Sequence, residues 1–209
     1  WRDAWAGLAG EVEQEATTYL ASGDNVSAAS ALHRQCTYLQ LAERFLDHYA
    51  PDALDLYAQS VAAFTKGVQL EGAATPRCTR VHIPYTGPSA PGHTSFVANT
   101  TLHGYMCCAG ATGCDAQQPR PLVLALSGYD AGVELLYHLI ATDAIPYGFH
   151  VLLFEGPGQG SVARFRGLRF TPDYGPVVAQ VLDFVLQPGG DYAGAIDASA
   201  IALWGISFG

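Results

Sequence analysis

The chain has 209 residues, 49% of them apolar and 14% charged, with a formal net charge of −9. This composition excludes a disordered chain and calls for a sizeable core. The acidic excess speaks against nucleic acid or an anionic membrane as partner, and no apolar run reaches the roughly 18 residues of a membrane span.

Residues 1–70 read as helical. Val12, Ala16, Tyr19 and Leu20 share one helix face. Gly23, Asp24 and Asn25 interrupt that helix, and Asn25 or Ser27 is suited to cap the next. The second helix carries Ala31, Leu32, Cys36, Leu39, Phe45 and Leu46 and ends before Pro51. Asp52 is a candidate cap for a third, running through Leu56, Val61 and Phe64 to about Gly67. The wide apolar stripe of this segment needs something to pack on. A self-contained bundle and a lid over an active site both satisfy it.

The composition changes near residue 70, and from Thr79 the period changes. Residues 80–85, 96–99 and 101–106 read as strands, with antiparallel pairing expected. Residues 122–126 form a continuous apolar run, as in a strand buried on both faces of a parallel sheet. A helix over about 132–143 follows, then a strand at 150–154, a helix over about 174–186, and a strand at 200–204. Strand, helix, strand, helix, strand is the pattern of a parallel α/β sheet.

Gly205-Ile206-Ser207-Phe208-Gly209 closes the stretch and fits G-x-S-x-G. In that motif a sharp turn lifts a serine off a strand end, and small flanking residues let strand and helix pack closely. Ser207 is therefore the candidate nucleophile, which needs a base to take its proton. Ser127-Gly128-Tyr129-Asp130 follows the strand at 122–126. Backbone N–H groups of Tyr129 and Asp130, with that of Phe208, are candidate oxyanion donors. Gly128 lets a substrate carbonyl approach, and Asp130 lies beside it as a second pocket residue or a helix cap.

Glu155-Gly156-Pro157-Gly158-Gln159-Gly160 follows the strand at 150–154. Its spacing is not G-x-G-x-x-G, no helix start is expected promptly after it, and no Lys-Ser/Thr pair makes it a phosphate loop. A tight loop at the pocket rim fits better. Glu155 is then either a buried structural acid or a substrate-binding carboxylate. No cofactor is implied.

The five cysteines include Cys107, Cys108 and Cys114 close together. The C-C-x5-C spacing is not a zinc pattern, so no metal is expected. A Cys108–Cys114 disulfide suits an oxidising compartment, and free thiols are the preferred reading. No basic-then-apolar signal segment stands at Trp1. The expected location is cytoplasmic.

Three strand-plus-loop signals, LALSGYDAG, LLFEGPGQG and ALWGISFG, resemble the α/β-hydrolases of the FrsA-like esterase group. They are most similar to the branch holding 2,6-dihydroxypseudooxynicotine hydrolase and the fungal yellowish-green pigment-pathway hydrolases. The resemblance implies an α/β fold, with residues 71–209 as the first half of the mostly parallel α/β-hydrolase sheet. It implies that residues 1–70 form part of a lid. It assigns Ser207 as nucleophile and the Tyr129 and Phe208 amides as oxyanion hole. In this fold the acid and then the histidine follow the serine. The seven histidines here (33, 48, 82, 93, 103, 138 and 150) all precede it, so none is assigned as base.

The stretch is accordingly read as part of a longer protein whose remainder supplies both partners. The implied substrate is a small molecule, and a homodimer is compatible with the sequence. The resemblance implies cleavage of a carbon–carbon bond next to a ketone in a polyketide or aryl ketone. Ester hydrolysis, acyl transfer or cyclisation, and a non-catalytic hydrolase-like binding protein remain as alternatives.

Overall fold

The computed structural model describes residues 1–71, 78–87, 100–110 and 113–209. They fall into two compact units, Trp1–Arg77 and Cys78–Gly209.

The first unit contains α1 (Arg2–Ala21), α2 (Asn25–Glu43) and α3 (Pro51–Glu71). α1 buries Ala9, Val12 and Ala16, while α2 and α3 bury larger sets that include Leu32, Leu39, Tyr57, Val61 and Phe64. The alanines let helix axes approach closely, and the larger side chains fill the space between them. Asp24 caps α2, its carboxylate accepting from the Ser27 N–H at 3.0 Å. The cap therefore lies one residue before the earlier of the two expected positions, because a carboxylate at Asp24 reaches the third amide of the helix. α2 ends at Glu43, so Phe45 is off the helix and 71% exposed, with its ring edge on Trp1 at 5.0 Å. α3 opens on Pro51 itself, whose missing N–H is no loss in a first turn.

The second unit is built on five strands: β1 (Cys78–Tyr85), β2 (Thr100–Cys107), β3 (Arg120–Leu126), β4 (His150–Phe154) and β5 (Ile196–Gly205). Their order is β1-β2-β4-β3-β5. The β1–β2 and β2–β4 pairs are antiparallel, and β3 runs parallel to both β4 and β5. The strand expected at 96–99 lies outside the described residues. All five residues of β4 are buried, as are Leu122–Leu126 of β3. Apolar runs without alternation thus occupy the centre of the sheet.

The β3-to-β4 crossover is less regular than the expected single helix. It runs through α4 (Val133–Leu136), a π-helical turn (Tyr137–Ala141), α5 (Thr142–Ala144) and a 3₁₀ turn (Ile145–Tyr147). The Thr142 N–H reaches back five residues to the Tyr137 carbonyl, and Pro146 has no N–H to continue an α ladder.

The β4-to-β5 crossover holds α6 (Gly160–Arg166) and α7 (Gly175–Leu186). α6 corrects the expectation that no helix follows the glycine-rich loop promptly. Val177, Val181 and Val185 of α7 join Val81, Ile83, Leu124 and Leu152 in one core cluster. Burial of each such side chain is worth roughly 1.5–3 kcal/mol.

β5 pairs only with β3 among the described residues, and Leu203 is 60% exposed. The strand expected at 200–204 is present within β5.

The preference for free thiols is also corrected. Cys78 stands opposite Cys107 in the β1–β2 register, and the two form a disulfide. Cys108 and Cys114 form a second, and Cys36 is buried outside both bridges. Antiparallel pairing creates the first bridge, which no short-range spacing announces.

Candidate active site

Leu126 of β3 pairs with Gly205 of β5, so the loops that leave both strands emerge side by side. The chain turns sharply after Gly205: Gly209 N–H donates to the Ile206 carbonyl at 2.9 Å. Ser207, at the apex, has φ of +59° and is the one non-glycine residue with positive φ among the described residues. An L-residue there stores on the order of 1–2 kcal/mol of strain, and such strain clusters at functional sites. The serine is exposed.

The turn fits only because its neighbours lack side chains. A Cβ on Gly205 would stand 2.5 Å from the Gly209 carbonyl carbon, and one on Gly209 would stand 2.6 Å from the Ser127 oxygen. A Cβ on Gly128 would stand 2.8 Å from Ser207 Cβ and 3.2 Å from its Oγ. The β3 loop therefore runs directly against the serine, with the Tyr129 amide one residue further on.

Tyr129 and Phe208 are 65% and 54% exposed. Phe170, between α6 and α7, joins them. Its ring stacks on Tyr129 at 5.4 Å with an interplanar angle of 14°, and meets Phe208 edge-on at 4.5 Å. The three rings make an aromatic wall beside the serine. Asp130 follows Tyr129 and is exposed.

Behind this surface two buried side chains brace the loops. Gln159 donates from Nε2 to the Ser127 carbonyl and accepts the Gly156 N–H at 2.8 Å. Glu155 is fully enclosed. One carboxylate oxygen accepts the Val133 N–H at 3.3 Å and the other accepts the Ser161 N–H at 2.7 Å. It thus ties the start of α4 to the start of α6. Gly160, at φ +39°, lies where any Cβ would enter the Glu155 carboxylate. Burial pushes the Glu155 carboxyl up to about 7; nearby His103 opposes the shift, Glu134 adds to it, and the two backbone N–H groups oppose it.

No family model matches the chain. It is 37% identical over 216 residues to hydrolase acrC of Aspergillus aculeatus, an alignment covering 100% of this chain and 48% of that protein. It is 33% identical over 217 residues to 20-hydroxy-prefusarin hydrolase FUS2 of Gibberella moniliformis, covering 100% of this chain and 46% of that protein. Among solved structures it superposes on 2,6-dihydroxy-pseudo-oxynicotine hydrolase with a TM-score of 0.73 at 25% identity, over 98% of this chain and 50% of the other. The chain has the α/β-hydrolase fold. It spans about half the length of the curated relatives it matches.

The structure brings Ser207, Gly128, Tyr129 and Phe208 to one end of the β3–β5 pair. Glu155 sits beneath the β4 loop rather than on an open surface. Phe170 and Gln159 are the site residues that sequence reasoning missed. Gln159 stood inside the quoted loop, but only its partners give it a role. Phe170 lies outside every motif.

Among the described residues no imidazole is hydrogen-bonded to Ser207. His150 is fully buried and accepts the Ala109 N–H at 3.0 Å, and burial lowers its pKa. His138 is exposed on the π-helical turn, and His93 lies outside the described residues. Cys108, Cys114 and His150 have metal-ligand-type atoms within 4.8 Å of one another, but the two sulfurs are bonded to each other.

Proposed function

We propose that Ser207 is the nucleophile of a hydrolase that cleaves a carbon–carbon bond next to a ketone in a polyketide or aryl-ketone metabolite. The observation that carries this reading is the left-handed backbone of Ser207 seated against Gly128. A serine is held in that conformation where its hydroxyl must project from a turn.

In this reading Ser207 Oγ attacks the ketone carbonyl as a base removes its proton. The Tyr129 and Phe208 amides hold the resulting oxyanion. Collapse breaks the carbon–carbon bond, and the base returns its proton to the departing carbanion or enol. Water then hydrolyses the acyl-enzyme by the same route. The aromatic wall of Tyr129, Phe170 and Phe208 suits a flat substrate.

We assign the acid and the base to the part of the protein beyond Gly209. The half-exposed apolar edge of β5 supports further strands pairing there. On the resemblance alone, the helical segment 1–70 is assigned to the lid. The expected cytoplasmic location competes with the two disulfides, which persist in oxidising compartments, and thiol mapping of the protein from its source decides between them.

The test uses the full-length protein. A fluorophosphonate should label Ser207, and Ser207→Ala should abolish turnover of a β-diketone or an acylated naphthopyrone. Folded protein that resists labelling overturns the nucleophile assignment. Turnover of a p-nitrophenyl ester alone, with no diketone cleavage, overturns the carbon–carbon reading and leaves an esterase.

A further inference from the structure

A second polar cleft lies away from the serine, between α6 and the β1–β2 pair. It is lined by Arg80 and His82 of β1, Thr101 and His103 of β2, and Ser161, Val162, Phe165 and Arg166 of α6. Residues two apart on a strand share a face. Arg80 with His82, and Thr101 with His103, therefore project together, and the register sets His82 opposite His103. β2 is three positions from β5 in the sheet, roughly 14 Å at the usual strand spacing. The cleft is thus separate from the Ser207 turn.

Three observations describe an unmet demand for negative charge. First, neither Arg80 nor Arg166 forms an ion pair among the described residues, in a chain whose net charge is −9. Second, Ser161 is 6% exposed, and its Oγ has no hydrogen-bond partner among the described residues. A buried hydroxyl left unpaired costs about 1–3 kcal/mol, which a ligand acceptor would recover. Third, burial first and then the positive charges of Arg80 and Arg166 lower the pKa of His82.

Local geometry also sets the proton positions. Arg80 Nε donates to His103 Nδ1 at 3.3 Å, so His103 carries its proton on Nε2, 3.8 Å from Glu134. The two acids that face the cleft lining, Glu134 and Glu155, stand behind His103 and Ser161 and are both buried. Two guanidinium groups with two hydroxyls match the oxygens of a tetrahedral oxyanion better than a single carboxylate.

We propose that this cleft binds a phosphoryl oxyanion, as inorganic phosphate or as the head of a phosphomonoester. Arg80 and Arg166 supply the charge, and Ser161 and Thr101 supply hydroxyl donors.

The experiment is calorimetric titration of the full-length protein with inorganic phosphate and, separately, glycerol 3-phosphate, at constant ionic strength with chloride as the reference anion. Saturable binding that Arg166→Gln and Ser161→Ala each weaken about tenfold or more supports the site. Arg166 is exposed at the end of α6, so its replacement should leave the fold and the labelling of Ser207 unchanged. Tighter binding of the monoester assigns the natural ligand to an ester, and equal binding assigns it to the free ion. Binding no stronger than chloride, or binding that neither substitution alters, overturns the proposal.

Discussion

Gly128 and Ser207 touch so closely that a methyl group on the glycine would stand 2.8 Å from the serine Cβ. The contact couples the loop after β3 to the turn after β5. It also makes the glycine a positional requirement rather than a flexible spacer. Gly128→Ala should displace the serine by a fraction of an ångström to an ångström. Misplacement on that scale costs about 10²-fold in rate. The fluorophosphonate labelling rate of the full-length variant measures it, and wild-type labelling in a folded variant would show that the contact does not position the serine.

Gln159 bridges the β3 loop and the β4 loop from a fully buried position. Gln159→Met keeps the volume and removes both hydrogen bonds. Each buried group left unpaired costs about 1–3 kcal/mol, so denaturant unfolding should show a loss of that order or larger. Labelling of Ser207 should slow as well, because the Ser127 carbonyl loses its anchor. A variant as stable as the parent would show that the bridge is incidental.

Glu155 makes stability depend on pH in a defined direction. Its carboxyl is held at about 7, above its ordinary value of 4.5. Between those values the folded chain retains a proton that the unfolded chain has released. Stability therefore falls as pH rises from 4.5 to about 7, and this contribution levels off above that. Glu155→Gln should flatten the slope. Urea unfolding across that range, on parent and variant, measures it; equal slopes would mean that another group sets the dependence.

Phe170 touches both aromatic residues that flank the serine. Each aromatic pair is worth about 0.5–1.5 kcal/mol beyond its area. Phe170→Ala should raise KM for an aryl ketone about fivefold or more. Turnover of a short aliphatic ester should change much less. A uniform loss on both substrates would identify a folding defect instead of an aromatic wall.

The two disulfides close loops with sequence separations of 29 and 6. Loop-closure entropy predicts that reducing them costs about 3–4 and about 2 kcal/mol, the longer loop more. Non-reducing peptide mapping should find Cys78 joined to Cys107 and Cys108 to Cys114, with Cys36 alkylated only after unfolding. Thermal unfolding with and without reductant then gives the stability difference. Free Cys78 and Cys107 in native protein would return the chain to the thiol reading.

Much of the α/β unit is legible in the chain because its signals are local. Leu122–Leu126 and His150–Phe154 are strands with no polar alternation, and both sit at the sheet centre. The turn at Ser207 is written in five consecutive residues. The irregular helix after β3 was not legible, because its π turn depends on how the segment packs and not on any single residue except Pro146. The role of Glu155 was open for the same reason: one carboxylate in a loop reads alike whether it faces water or, as here, two helix starts.

What the sequence by itself determined is therefore the order of strands and loops and the serine at the last turn. Backbone preference and apolar periodicity act over a few residues, and they are readable one segment at a time. Tertiary structure alone decided which loops meet. Phe170 reaches Tyr129 across 41 positions, and Cys78 reaches Cys107 across 29. Those contacts follow from the order of the strands within the sheet and from their register, which place distant segments side by side without leaving a mark in either one.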